Sequence, residues 1–125
     1  MSGLFEDFAN KLAPSDDANS IKPQIITGNT NGAAVDLDGR HDCAAIAHLG
    51  ACTGLTSASV KLQECATASG TFTDVPSAVF PAFTAQDKFR VLNFKRSLRF
   101  CRAVVTLTGT SATIAVSIVG AKRTY

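Results

Sequence analysis

The sequence predicts an all-β chain: an antiparallel two-sheet sandwich or jelly roll, preceded by a short N-terminal helical arm. Three observations carry this expectation. Short alternating segments recur along the chain, separated by turns rich in Gly, Asn and Asp. The hydrophobic content is 46% and is built on Ala, Val and Ile, with eight Phe, one Tyr and no Trp, which suits a thin sandwich. The closing run RSLRFCRAVVTLTGTSATIAVSIVGAKRTY reads as two long strands joined by a tight turn at Thr108-Gly109-Thr110-Ser111.

In chain order, MSGLFEDFANKL places Leu4, Phe5, Phe8 and Leu12 on one stripe at helical spacing, with Ser2 as the N-cap and Pro14 beyond the end. Two or three turns of helix are marginal alone, so the stripe needs a surface. It either covers its own sandwich or docks on a neighbouring subunit, and the polar linker APSDDANSIKP favours docking. The division is therefore 1–22 for arm and linker and 23–125 for the sandwich domain.

Gln24 to Thr27 reads as a strand, residues 28–32 as a turn, and Ala33 to Leu37 as a strand closed by Asp38-Gly39. His41 to Leu49 is apolar on both faces and reads as a central strand, followed by a loop over Gly50 to Thr56. Ser57 to Cys65 alternates, with Ala58, Val60 and Leu62 opposed by Ser59, Lys61 and Gln63. Phe72 to Val75 is a short strand broken by Pro76, and Pro81 confines Ala78 to Phe83 to an edge or bulge. Phe89 to Phe94 precedes the final pair. The expected core is Ile46, Val60, Leu62, Phe72, Val91, Phe100, Val104, Ile114, Val116 and Ile118.

Charge is lopsided. Residues 1–87 hold four basic and all ten acidic residues, and residues 88–125 hold eight basic residues and no acid. A locally basic surface is expected around Lys88, Arg90, Lys95, Arg96 and Arg99, suited to an acidic protein partner. Nucleic acid is the less favoured partner, because alternation would bury most of the interleaved Phe89, Phe94 and Phe100. No apolar run approaches the roughly 20 residues of a membrane helix. The N-terminus lacks a signal-peptide pattern, which leads us to expect assembly in a cytoplasm.

No enzymatic chemistry is expected. His41 and His48 are expected on opposite strand faces, and the spacing of Cys43, Cys52, Cys65 and Cys101 is neither a zinc nor a disulfide pattern. Free thiols and no cofactor or metal are expected. Asp36, Asp38 and Asp42 read as turn residues holding backbone amides in preference to a calcium site. TGNTNG lacks the Lys-Ser/Thr and helix of a phosphate loop.

The run VKLQECATASGTFTDVPSAVF resembles a pattern in small virion proteins of tailed bacteriophages: a V-x-L-Q-E strand, a Ser/Gly loop, then F-T-D-V-P-x-A. AAVDLDGRHDCAAIAHLGA and LRFCRAVVTLTGTSATIAVSIVGAKR are similar to the same group, with Phe100 at its usual aromatic position and Arg102 as its second Arg. The resemblance covers roughly residues 25–123, through strand and turn patterns, and the cysteines depart from it. It implies a virion-located capsid decoration or cement protein, with the major capsid protein and its own copies (homodimer or homotrimer) as partners. The alternatives are a head-tail connector or tail component, or a carbohydrate- or receptor-binding sandwich. The last would ordinarily display Trp or Tyr, and here only Tyr125 is present.

Overall fold

A computed structural model describes residues 19–122, the side chains of His41 and Lys122 excepted. The expected helix with Leu4, Phe5, Phe8 and Leu12 lies outside these residues, as does Tyr125. Nine strands are formed: β1 (Asn19–Ile26), β2 (Thr30–Asn31), β3 (Val35–Asp36), β4 (Arg40–Thr53), β5 (Ser57–Cys65), β6 (Thr73–Val79), β7 (Lys88–Lys95), β8 (Phe100–Thr108) and β9 (Ser111–Lys122). One sheet has the order β1-β9-β4-β7 and the other β2-β8-β5-β6, with β3 also on β8. Every pairing is antiparallel. The described residues form an all-β, two-sheet sandwich in which β4–β5, β6–β7 and β8–β9 each pass from one sheet to the other.

That topology corrects the reading of the last two strands as a hairpin. β8 pairs β5 and β9 pairs β4 and β1, so the loop at Gly109 is a corner between sheets. The β4–β5 corner packs on it. Thr56 N donates to Thr108 O at 2.9 Å and Thr110 N donates to Thr53 O at 3.2 Å. Gly109 has φ of 146°, and a Cβ there would lie 2.5 Å from the Gly54 carbonyl oxygen. Only glycine fits this close approach.

The expected core is half right. Val60, Leu62, Ile114, Val116 and Ile118 are buried between the sheets, whereas Ile46, Phe72, Val91, Phe100 and Val104 are not. The inner face of β8 is Cys101, Ala103 and Val105, and that of β4 is Cys43, Ala45, Ala47 and Leu49. Both strands carry large apolar side chains on the outer face as well (Phe100 and Val104 on β8, Ile46 on β4), and burial went to the face with the smaller ones. Small residues let the sheets approach, and Phe80 and Phe83 from the chain after β6 fill the space that remains. β4 is central, as expected, but runs on to Thr53, through the stretch read as a loop with Cys52.

β6 continues through Pro76, and Ser77 absorbs the irregularity at φ of 62°. As an edge strand, β6 tolerates a proline that cannot donate. β1 begins at Asn19, inside the stretch read as linker, because Ser20 and Ile21 are buried. The Ser20 hydroxyl donates to Ala33 O at 2.8 Å and accepts from Ala103 N at 2.9 Å. Ala33 N donates to Ser20 O, and Gly32 N to Ala103 O, each at 2.7 Å. A side chain at Gly32 would collide with Ser20, so this knot needs glycine there.

Candidate functional site

The two outer faces of the sandwich differ in kind. On the β2-β8-β5-β6 sheet the polar side chains satisfy one another. Arg102 donates twice to Gln63 Oε1 at 3.1 and 2.9 Å, and its guanidinium sits 4.5 Å from the Phe72 ring centroid. Gln63 donates to Asp74, which also pairs with Lys61 at 3.0 Å. Asp36 takes a two-pronged contact from Arg99 at 2.9 and 2.8 Å and accepts from Asp38 N at 3.0 Å. The Arg99 guanidinium holds the Asp36 carboxyl below its ordinary range. Asp36 thus holds a backbone amide, as the sequence reading expected, and takes in addition a guanidinium partner that reading did not name.

On the outer face of the β1-β9-β4-β7 sheet the polar pairs lie toward its margins: Lys95 is 3.8 Å from Asp42, and Ser117 donates to Asn19 Oδ1 at 2.8 Å. Register places Ala115, His48 and Phe89 in one row, Asn19, Ser117, Ile46 and Val91 in the next, and Val119, Ala44 and Asn93 in a third. None of these ten residues carries a formal charge when His48 is neutral. Phe89 is 63% exposed, Val91 53% and, on β1, Ile25 69%. The ring of His48 meets Phe89 edge-on at 6.4 Å. Two open depressions flank the central row. One, about 410 Å³, lies over Asp42, Cys43, Ala44, Asn93, Phe94 and Lys95. The other, about 220 Å³, lies over Pro23, His48, Gly50, Thr113, Ile114 and Ala115. An exposed, uncharged, partly aromatic sheet face is a surface for adhesion.

The five cations expected to make one basic surface are divided by the fold. Lys88 and Arg90 sit on β7 opposite Leu49 and Ala47, whose side chains face inward. The Arg90 guanidinium lies over the Phe83 ring at 5.1 Å, and its Nε meets no acceptor among the described residues. Lys95 is on the outer face, 3.8 Å from Asp42. Arg96 donates to Arg40 O at 2.6 Å and to Leu98 O at 3.4 Å, tying the loop after β7 to the start of β4. Arg99 belongs to the Asp36 pair on the other sheet. The cations therefore rim the β7 edge and one end of the sandwich without forming a patch. Alternation also exposes Phe89, half-buries Phe100 and buries only Phe94, against the expectation that it would bury most of these rings.

At that end the buried Glu64 accepts from Ser97 N and Leu98 N at 2.8 and 2.9 Å, and the buried Arg40 donates to Gly120 O at 2.7 Å. Glu64 thus fixes the β7–β8 loop, while Arg40 ties the start of β4 to β9. All four cysteines are free thiols. Burial pushes the Cys43 thiol up and that of Cys101 up to about 12. Among the described residues, no three of His, Cys, Asp and Glu gather as metal ligands.

No protein-family model matches the chain, and no curated protein sequence matches it. Among solved structures it is similar to the crystal structure of PirA, at 16% identity and a TM-score of 0.46 over 85% of this chain and 95% of that one. A likeness of that degree carries no argument about what the protein does.

Proposed function

We propose that the protein is a structural component of a tailed-bacteriophage virion, attached to the outside of the capsid as a decoration or cement protein. The observation that carries this is the uncharged central stretch of outer face with Ile46, Phe89 and Val91, set against a second face whose polar groups pair with one another. The strand and turn resemblance to small phage virion proteins supplies the partner class: the major capsid protein and sister copies. A face of this kind works by adhesion, and repetition of a modest contact over a symmetric shell gives firm attachment. The stripe of Leu4, Phe5, Phe8 and Leu12 and the β7 cations Lys88, Arg90 and Lys95 are the further contact elements of this reading, whereas Arg96 and Arg99 are held by Arg40 and Asp36. No cofactor enters it.

The test is occupancy on purified shells. Phe89→Glu with Val91→Glu alters two exposed side chains and should lower occupancy at least tenfold, which is about 1.4 kcal/mol, with the fold retained. Unchanged occupancy would remove this face from the proposal. Decoration confined to the portal vertex would instead make the protein a connector or tail component.

A further inference from the structure

The open edge of β7 differs from the other edges of the sandwich. Among the described residues, β1 is broken by two register shifts and carries Pro23, and β6 carries Pro76 and a positive φ at Ser77. β2 and β3 are two residues each. β7 keeps unbroken register with β4 over all eight of its residues and contains no proline. We propose that this edge takes up an extended, acidic strand segment of another protein, which lengthens the β1-β9-β4-β7 sheet by one strand. The inference rests on the virion reading only for the source of that segment, a capsid subunit, and it gives Lys88 and Arg90 their part in the contact.

Register settles which backbone groups face the open side. Lys88 pairs Leu49, and Asp87 N donates to Gly50 O at 3.1 Å. In an antiparallel ladder that bond makes Lys88 and Leu49 a pair without bonds of its own. Alternation then turns the N–H and C=O of Lys88, Arg90, Leu92 and Phe94 away from β4. Among the described residues, no backbone bond from another segment engages these groups. They offer a ladder over about 20 Å of edge.

The side chains of the same residues turn to the inner side of the sheet, where Lys88 is exposed and Arg90 half-buried. Neither has an ion-pair partner among the described residues, whereas Lys95, on the outer face, is paired with Asp42 and takes no part. The Arg90 Nε is shielded from water and meets no acceptor among those residues, with the guanidinium held over Phe83. A guanidinium so placed gains more from an arriving carboxylate than a solvated cation does.

Inward-turned cations on an edge strand also guard it against a second copy. β7 holds three cations and no acid, so edge-to-edge pairing of two copies would add like charge. A strand with Asp or Glu opposite Lys88 and Arg90 turns the guard into recognition. Its alternate residues fall beside the exposed Phe89 and Val91 on the outer face and are expected to be apolar.

The experiment titrates the isotope-labelled full-length protein with a synthetic peptide in which Glu alternates with Val, and follows amide hydrogen exchange. Exchange should slow by about tenfold or more at Lys88, Arg90, Leu92 and Phe94. The amides of Phe89, Val91 and Asn93, already turned to β4, should not change. Unaltered exchange at the first set would overturn the proposal, as would protection of that set before peptide is added, by a second copy or by another part of the chain. The same peptide with Lys in place of Glu should not bind, and equal binding would overturn the acidic chemistry. Lys88→Gln with Arg90→Gln should weaken binding of the Glu peptide about tenfold, with the amides turned to β4 still protected. Unchanged affinity there would also overturn it. No particle is involved, so failure here leaves the virion reading to its own test.

Discussion

Ser20→Ala probes the knot that ties the first strand into the sandwich. Ser20 is 4% exposed, and its hydroxyl is at once a donor to Ala33 O at 2.8 Å and the acceptor for Ala103 N at 2.9 Å. Removing one oxygen leaves the Ala103 N–H without that acceptor in a buried site, beside strand β8. A buried unsatisfied group of this kind costs about 1–3 kcal/mol. For a domain of this size each kcal/mol lowers Tm by about 3–6 °C, so a fall of roughly 8 °C is expected by scanning calorimetry. Ser117→Ala is the comparison. It loses one half-exposed hydrogen bond, to Asn19, and should cost under about 1 kcal/mol. If Ser20→Ala melted within a degree of the wild type, or no lower than Ser117→Ala, Ser20 would not join β1 to β8 and the start of β1 would be wrong.

Three further outcomes follow from the geometry. Gly109→Ala forces a Cβ against the Gly54 carbonyl at φ of 146° and should cost at least about 1–3 kcal/mol in a denaturant titration. Gly28→Ala meets nothing within 4 Å and should change stability by less than about 0.5–1 kcal/mol. Equal effects would place Gly109 away from the Gly54 corner. Asp36, whose folded pKa is lowered chiefly by Arg99, stabilises the protein fully above its ordinary value of 3.8. That contribution is lost as pH falls through the lowered value. The destabilisation by Asp36→Asn should therefore be present at neutral pH and shrink at pH of about 3, and an equal effect at both would break the pairing argument. Thiol titration of the native protein at mildly alkaline pH should reach the half-exposed Cys52 first. Cys43 and Cys101 should react only on unfolding, to a denatured total of four; a denatured, non-reducing count of two would reveal a disulfide.

Alternation was legible wherever one strand face is polar. Ser57 to Cys65 reads off the sequence with its bounds and burial intact, and Ile114, Val116 and Ile118 fall on the buried face as expected. It failed where both faces are apolar. In β8 either Val104 or Val105 can face inward by hydrophobicity, and in β4 Ile46 is outside while Ala45 and Ala47 are inside. Side-chain size misleads there, because two sheets in contact select small residues. Placing the larger apolar group on the outside is the trace of the candidate site itself. Phe89, Val91 and Ile46 looked like core and are the exposed face. Ser20 was hidden for another reason, since a serine between polar neighbours in NSIKP carries no local signal of a hydrogen bond 83 residues away. The Gly109 corner has hairpin chemistry but joins two sheets, a distinction made by long-range pairing of β8 with β5 and of β9 with β4.

The proposal to be tested is that the stretch of outer face around Ile46, Phe89 and Val91 is the surface by which the protein holds to a phage shell and its neighbours. Electron cryomicroscopy of particles assembled with the full-length chain tests this directly. The account predicts sandwich density on the outside of the shell, with Ile46, Phe89 and Val91 against capsid or sister-copy density and the Arg102–Gln63 face turned to solvent. Particles without the protein, or density with the Arg102–Gln63 face against the shell and Val91 in solvent, would contradict it.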